Sequence, residues 1–374
     1  MKHPWQLGPQ QMWVWVVTSY LGLGFFNFPR ILYENASSSA FYALLAGLAA
    51  SFVSIQLNAM AAARIPGGSL AHLAKAALGK WGGIAFEMWP FTYQLMVMMA
   101  GFRMVADIIH TVNLQRTPPA ALIITIAVVV IYVAWHGIEA VTRMFQLWVP
   151  VIVILIIGST VLSVLNYDPV VAMPHFMGWN ALWQGFLHHY FIYGGVASIS
   201  MVLAYTDVRR ALPWLHTGLA INSVLLLVAF ASVATTVGPF VARDTEWPVI
   251  SALRLVDVPG FLVVERVGWL VLLGYTMFTV LFLTGLTVVL SVGVTHLFDL
   301  PDEQCRYFIA PLVLLAAVIA MFMPDRPTVD QWETGILSYG AIYIALVKPL
   351  FLYIVARIRG IGPKQGTRSS ARTD

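Results

Sequence analysis

A chain of 374 residues that is 59% apolar and only 10% charged, with mean hydropathy +0.80, holds more apolar surface than one soluble core can bury. That balance excludes a cytosolic enzyme and points to repeated membrane crossing. The formal charge of +4 is read as topology rather than nucleic-acid affinity, because Lys and Arg in such chains mark the cytoplasmic loops.

In chain order, Met1-Lys2-His3 precede an apolar stretch too long, and too interrupted by Pro and Gly, for a cleavable leader. A retained first span is expected. Runs long enough for about 30 Å of hydrocarbon recur ten times, over about 8–34, 38–63, 83–111, 119–136, 144–166, 182–205, 212–238, 266–295, 307–323 and 333–357. Span one contains Leu21-Gly22-Leu23-Gly24-Phe25-Phe26-Asn27-Phe28-Pro29, where two glycines and a proline disfavour a continuous helix. Ser69 to Lys80, between spans two and three, reads as an amphipathic loop helix. Span three carries Glu87 about a turn in, Tyr93 and Gln94 two turns on, and an Arg103–Asp107 pair at i,i+4. Span six holds His188 and His189, which face directions about 100° apart, and then Tyr193-Gly194-Gly195. Residues 246–265 form a non-spanning segment before span eight, where Tyr275, Thr276, Thr279 and Thr284 recur at helical spacing. Asn222 is a lone polar group in span seven and Lys348 another in span ten, the latter beside Pro349. The basic segment 361–374 is expected as a cytoplasmic tail.

With both termini on one side, the loops of that side hold thirteen Lys and Arg against five on the other, which predicts cytoplasmic termini. The interruptions at Gly22 and Gly194 lie 172 residues apart, each about 12 to 14 residues into a span that opens a five-span half. An odd number of spans inverts the second half, 182–357, relative to the first, 8–166. The fold predicted is an all-α membrane protein, a single transmembrane domain over 1–360, with ten transmembrane helices in a five-plus-five inverted repeat and broken helices one and six. Such folds bind solute at the midplane, where unwound backbone offers amides and carbonyls that lipid cannot satisfy. The outer half of span one would present amides and a positive dipole end to a carboxylate. Carbonyls near Tyr193 would suit an ammonium group, so a zwitterionic amino acid fits the polarity.

The residues also resemble a family. Leu23-Gly24 with Phe28-Pro29-Arg30, Arg64-Ile65-Pro66-Gly67 with Leu78-Gly79-Lys80, Thr117-Pro118-Pro119, Gly137-Ile138-Glu139 with Arg143, Glu246-Trp247-Pro248, Arg254 and Glu265-Arg266 follow the order and spacing of the spore germination permeases. These are the GerAB-type B subunits of nutrient germinant receptors, within the amino acid–polyamine–organocation superfamily. The resemblance implies an amino-acid-permease-like fold, a germinant that is usually an amino acid, and assembly with A and C subunits in the spore inner membrane. It also implies that hydroxyls of span eight, Thr276 or Thr279, could hold sodium with freed carbonyls of span one.

The expected ligand site lies between Gly22, Gly24 and Phe25 and the Tyr193, Gly194 and Gly195 stretch, flanked by Tyr93. An ion or proton path is expected through Glu87, Thr276, Thr279 and Lys348. The alternative for Glu87 is an interfacial carboxylate paired to Lys80 or Arg143, and for the threonines a bond back to their own helix. The lone Cys305 excludes an intrachain disulfide, and no metal-ligand spacing, phosphate loop, nucleophile elbow or dinucleotide fingerprint occurs. No enzyme activity and no cofactor are expected. A proton- or sodium-coupled amino acid transporter and a membrane scaffold for receptor partners stand as the alternative functions.

Overall fold

A computed structural model describes residues 5–22, 24–112, 114–164, 174–254, 267–323 and 326–362. Secondary structure among them is helical, without a strand. Helix lies at each of the ten predicted span positions. Span one is two helices, Met12–Leu21 and Phe28–Ala36, and span two is Ala40–Ala62. Spans three to five are Lys80–Val112, Pro119–Ala134 and Gly137–Val164. Span six is again broken, Trp179–Tyr193 and Val196–Tyr205 meeting at 41°. Spans seven to ten are Val208–Thr236, Val267–Phe298, Cys305–Phe322 and the run from Arg326 to Ile358.

Among the described residues, six helices are each long and apolar enough to cross a bilayer, with Phe28–Ala62 counted as one, and the bent pair of span six makes a seventh. Span three is long but carries Lys80, Glu87, Arg103 and Asp107, and span four has only 16 residues. Burial separates the inner from the outer helices. The most apolar window of span eight, in Thr276–Phe298, is 89% buried, whereas that of span five is 33% buried. Span eight is therefore an axis of the bundle, and span five turns most of its apolar surface outward, as a lipid-facing helix must.

Local chemistry explains the boundaries. Pro29, Pro119 and Pro239 open helices, where the missing amide proton costs no hydrogen bond. Asp207 caps span seven by accepting from the backbone N–H of Arg209 at 3.0 Å and of Arg210 at 3.4 Å. Span five starts at Gly137, earlier than the 144 expected, because its polar first turns rise out of the apolar layer. There Glu139 accepts a hydrogen bond from the Gln6 backbone N–H at 3.1 Å. Span ten likewise starts at Arg326 instead of 333, with two polar turns projecting beyond the apolar run. The predicted loop helix is present as Leu70–Leu78. Of the non-spanning segment at 246–265, Pro248–Arg254 is a helix and residues 255–266 lie outside the described residues, as do Leu23, residues 1–4 and the tail from 363.

Both described termini lie on one face, here called the terminal face. Leu7 N–H donates to the Tyr205 carbonyl at 2.9 Å, and the Arg64 guanidinium lies 4.7 Å from the Tyr353 ring centre. Exposed Trp81 (79%) and Trp179 (78%) stand near span ends, as interfacial tryptophans do.

Candidate functional site

The two interruptions meet in the middle of the bundle. Span one ends its first helix at Leu21 and restarts at Phe28, and the turn between them hangs on the Gly24 carbonyl. That oxygen accepts from the N–H of Asn27 at 3.2 Å and of Phe28 at 2.9 Å. Gly24 takes φ +81°, a left-handed conformation that costs glycine nothing and other residues a steric penalty. In span six a 3₁₀ turn, Tyr190–Tyr193, runs into Gly194 and Gly195 before helix resumes at Val196. A Cβ on Gly195 would overlap the backbone carbonyl of Ser19, and one on Gly194 would overlap the Tyr93 hydroxyl. The breaks therefore touch through backbone, and only glycine permits it.

Between them lies a cavity lined by Ser19 of span one, Tyr93, Gln94 and Val97 of span three, Phe191, Ile192, Gly194, Gly195, Ala197 and Ser198 of span six, and Phe282 and Leu286 of span eight. None of the lining side chains is charged. Its volume is about 10 Å³, room for about one water. Aromatic rings fill the rest. Phe282 presses on Gly22 and Phe191 on Gly24, each so closely that a Cβ at either glycine would overlap the ring. A ligand of amino-acid size requires these rings to turn aside. The Tyr93 hydroxyl and the Gln94 Oε1 are buried without partners, two polar atoms at the cavity available to a ligand or a water.

Tyr93, Gly194 and Gly195 of the expected site line the cavity, and Gly22 and Gly24 back its aromatic walls. Phe25 is buried against Phe26 and Phe28, with centroids 5.7 and 6.3 Å away, and is not among the lining residues. Tyr193 points away, with its ring 5.1 Å from Tyr190, 5.5 Å from His189 and 6.3 Å from Tyr20. The adjacent histidines diverge as expected. His189 is buried with Nδ1 2.6 Å from the Gly185 carbonyl, and His188 reaches the Thr334 carbonyl at 2.9 Å.

A second cavity, about 20 Å³, adjoins the first on the terminal-face side and shares Gln94 and Ala197 with it. It is lined by Glu87, Ser200, Gly293 and Lys348 and floored by Leu70 and Ala71 of the loop helix. Glu87 is paired neither to Lys80 nor to Arg143. Its Oε2 accepts from Lys348 Nζ at 2.7 Å, and the two side chains are 7% and 4% exposed. Thr279 is buried and Thr276 half-buried, and neither lines these two cavities. Thr284 and Thr287 bond back to the carbonyls of Val280 and Leu283, both at 2.7 Å. Arg103 Nε donates to both Asp107 oxygens at 2.9 and 3.0 Å, the pair expected. No cluster of three His, Cys, Asp or Glu able to hold a metal occurs among the described residues.

Sequence reasoning missed Ser19, Phe191, Phe282 and Leu286. Ser19 is a hydroxyl three residues before the first glycine of the break, a usable signal. The apolar three carry none, since they differ from neighbours only in helix rotation. A polar cluster on the opposite face was missed as well. There Asn27 Nδ2 donates to Glu333 Oε2 at 2.7 Å, and Arg30 Nη2 stands 2.7 Å from Asp330 Oδ2.

The fold is that of the LeuT-fold transporter MhsT, whose crystal structure in complex with L-phenylalanine superposes with TM-score 0.69 at 12% identity, over 97% of this chain and 98% of that one. Two curated relatives from Bacillus subtilis (strain 168) align over nearly the full length. Spore germination protein YndE is 22% identical over 365 residues, covering 93% of this chain and 96% of the relative. Spore germination protein B2 is 19% identical over 351 residues, covering 93% and 95%. Family and fold are those of a permease-like membrane protein. A spore permease family profile, described as "Spore germination protein", matches residues 6–328, and the chain belongs to that family.

Proposed function

We propose that this chain is the germinant-sensing permease subunit of a spore germination receptor, binding an amino acid in the midplane cavity and acting with A and C subunits. The observation that carries the reading is the contact of two interrupted helices, Gly195 against the Ser19 backbone, beside a cavity without charged side chains. With the Phe282 and Phe191 rings turned aside from Gly22 and Gly24, helix ends would come within reach of a zwitterion's charges. The C-terminus of Met12–Leu21 favours its ammonium and the N-terminus of Phe28–Ala36 its carboxylate. MhsT, of the same fold, was crystallised with L-phenylalanine, which is consistent with an amino acid ligand. Binding would turn the rings of Phe191 and Phe282 aside and so favour one arrangement of the helices, and that differential affinity would drive the partner subunits. The excess of Lys and Arg in its loops would make the terminal face cytoplasmic, and membership of the spore germination family would place the chain in the spore inner membrane.

The test is thermal stabilisation of the purified chain by a panel of amino acids, sugars and nucleosides. A ligand at 100 times its dissociation constant adds about 2.7 kcal/mol. The expected result is a hit among amino acids that disappears on Gly195→Val substitution. Stabilisation by sugars or nucleosides alone would refute the amino acid assignment, and a response surviving in Gly195→Val would refute the site. A second reading, amino acid transport, is favoured by the second cavity, which extends the first toward the terminal face. Accumulation of the same amino acid in proteoliposomes under a proton or sodium gradient distinguishes it from sensing alone.

A further inference from the structure

Glu87 uses one carboxylate oxygen on Lys348 and leaves the other, Oε1, buried without a partner, as is Oε1 of Gln94. Both residues line the terminal-face cavity, with Ser200, whose hydroxyl donates to the Ala197 carbonyl at 2.7 Å. Two buried acceptor oxygens, Glu87 Oε1 and Gln94 Oε1, are thus left over on residues of this cavity, and such acceptors call for a cation or a hydrogen-bond donor. The Lys348 ammonium supplies a cation at the neighbouring oxygen, Glu87 Oε2, from a locally widened backbone. Tyr343–Val347 is a π-helical turn, wider than an α-turn, and Asn58 Nδ2 donates to its Ala345 carbonyl at 3.2 Å. Lys348 follows immediately, next to Pro349.

Charge decides what else can enter. Glu87 and Lys348 sum to zero, so a mobile cation added beside them would leave a net positive charge in a poorly solvated site, which is costly. A cation is favourable there only in place of the ammonium. We propose that Glu87, with Gln94 and Ser200 beside it in the cavity, forms a monovalent-cation site between spans three and ten, whose occupant in this chain is the tethered ammonium of Lys348, held at Glu87 Oε2. The site adjoins the midplane cavity, with Gln94 lining both, and its test needs no ligand there. It has a built-in cation, so the chain needs no mobile ion at this position. Gln94, shared by the two cavities, carries any change of charge toward the ligand.

The experiment melts the purified full-length chain in detergent, followed by tryptophan fluorescence. Sodium, methylammonium and tetramethylammonium chlorides are compared at equal ionic strength. Wild type is expected to melt at one midpoint in all three. Lys348→Ala, which leaves Glu87 with an open cavity, should lose stability in tetramethylammonium and regain most of it in sodium or methylammonium. The double variant Glu87→Gln/Lys348→Ala should be indifferent to the salt. A Lys348→Ala protein with equal midpoints in all three salts overturns the proposal, as does a sodium-specific gain in wild type. If Lys348→Ala shows no transition in any salt, yield from membranes is compared. A higher yield of the double variant supports the proposal, because the carboxylate alone is then the burden, and equal yields overturn it.

Discussion

Gly194 and Gly195 adjoin in sequence, yet substitution at each fails for a different reason, and the difference can be measured. The obstacle at Gly195 is backbone, the Ser19 carbonyl, which no side-chain change removes. Gly195→Ala is expected to cost about 1–3 kcal/mol, the usual range for overpacking, and to abolish any ligand response while the protein still inserts. The obstacle at Gly194 is chiefly the far end of a side chain, the Tyr93 hydroxyl. Gly194→Ala should therefore recover a substantial part of its loss in a Tyr93→Phe background. A double-mutant cycle on melting midpoints measures the coupling, and strict additivity would show that the hydroxyl is not the obstacle. The sequence made these positions legible because interruption of a helix is a backbone property, written in Gly and Pro. It did not make the lining legible. At 100° per residue, a small error in helix phase decides whether Phe191 or Tyr193 lines the cavity, and both are aromatic. Lys348 and Glu87 were each visible as intramembrane charges. Their pairing was not, because 261 residues separate them and only the packing of spans three and ten brings them together.

Among the elements, span ten ties both faces of the bundle to the broken helix and its neighbours. On the terminal-face side it offers Lys348 to span three. On the opposite face its first turns hold the second half of span one, through Asp330 on Arg30 and Glu333 on Asn27. The turns from Arg326 to Trp332 were not expected as helix, because Arg326 and Asp330 lower the hydropathy there, and the clasp's partners on span one are 300 and 306 residues away in sequence. A second π-turn, Glu333–Leu337, begins at the clasped residue. Such turns allow a helix to deform locally. The clasp is consequently placed to hold the midplane cavity shut from the opposite face. Each charge-assisted hydrogen bond contributes about 1.5–3 kcal/mol, so removing one should raise the open fraction roughly tenfold or more. The measurement uses Ser19→Cys in a Cys305→Ser background, which removes the buried native thiol. Labelling by a membrane-impermeant maleimide from the opposite face should accelerate on Glu333→Gln or Arg30→Gln. Unchanged labelling, or acceleration only from the terminal face, would reject the clasp.

Over the whole molecule, the terminal face is closed by a different device, the loop helix Leu70–Leu78, whose Leu70 and Ala71 floor the second cavity. The helix is held by polar contacts to the end of span eight. Ser69 Oγ lies 3.0 Å from His296 Nδ1, and Lys75 donates to the His296 carbonyl at 2.7 Å and pairs with Asp299. Behind it, His296 Nε2 lies 3.0 Å from Asp302 Oδ1, and the Tyr205 hydroxyl at the end of span six donates to Asp302 Oδ2 at 3.1 Å. One network thus joins the loop helix to span eight, the start of span nine and the far end of broken span six. Asp299 supplies the titratable handle. The hydrogen bond from Lys75 holds its carboxyl below the ordinary aspartate value of 3.8. A carboxyl depressed in the folded state adds stability above its unfolded value, and that stability is lost as pH falls through the folded one. The loop helix should accordingly be held fully at neutral pH and loosen as pH falls below about 4. The effect is modest, because the Asp299 side chain is 50% exposed and solvent screens the pair. Hydrogen exchange of residues 70–78 reads it directly. Wild type should lose protection there on acidification, in excess of the loss elsewhere. Asp299→Asn should start less protected at neutral pH and show no such excess. Equal protection of the two proteins at neutral pH would mean that the Ser69–His296 contact and the Lys75 bond to the His296 carbonyl suffice to close this face. The route from the second cavity would then be governed by the histidine network alone.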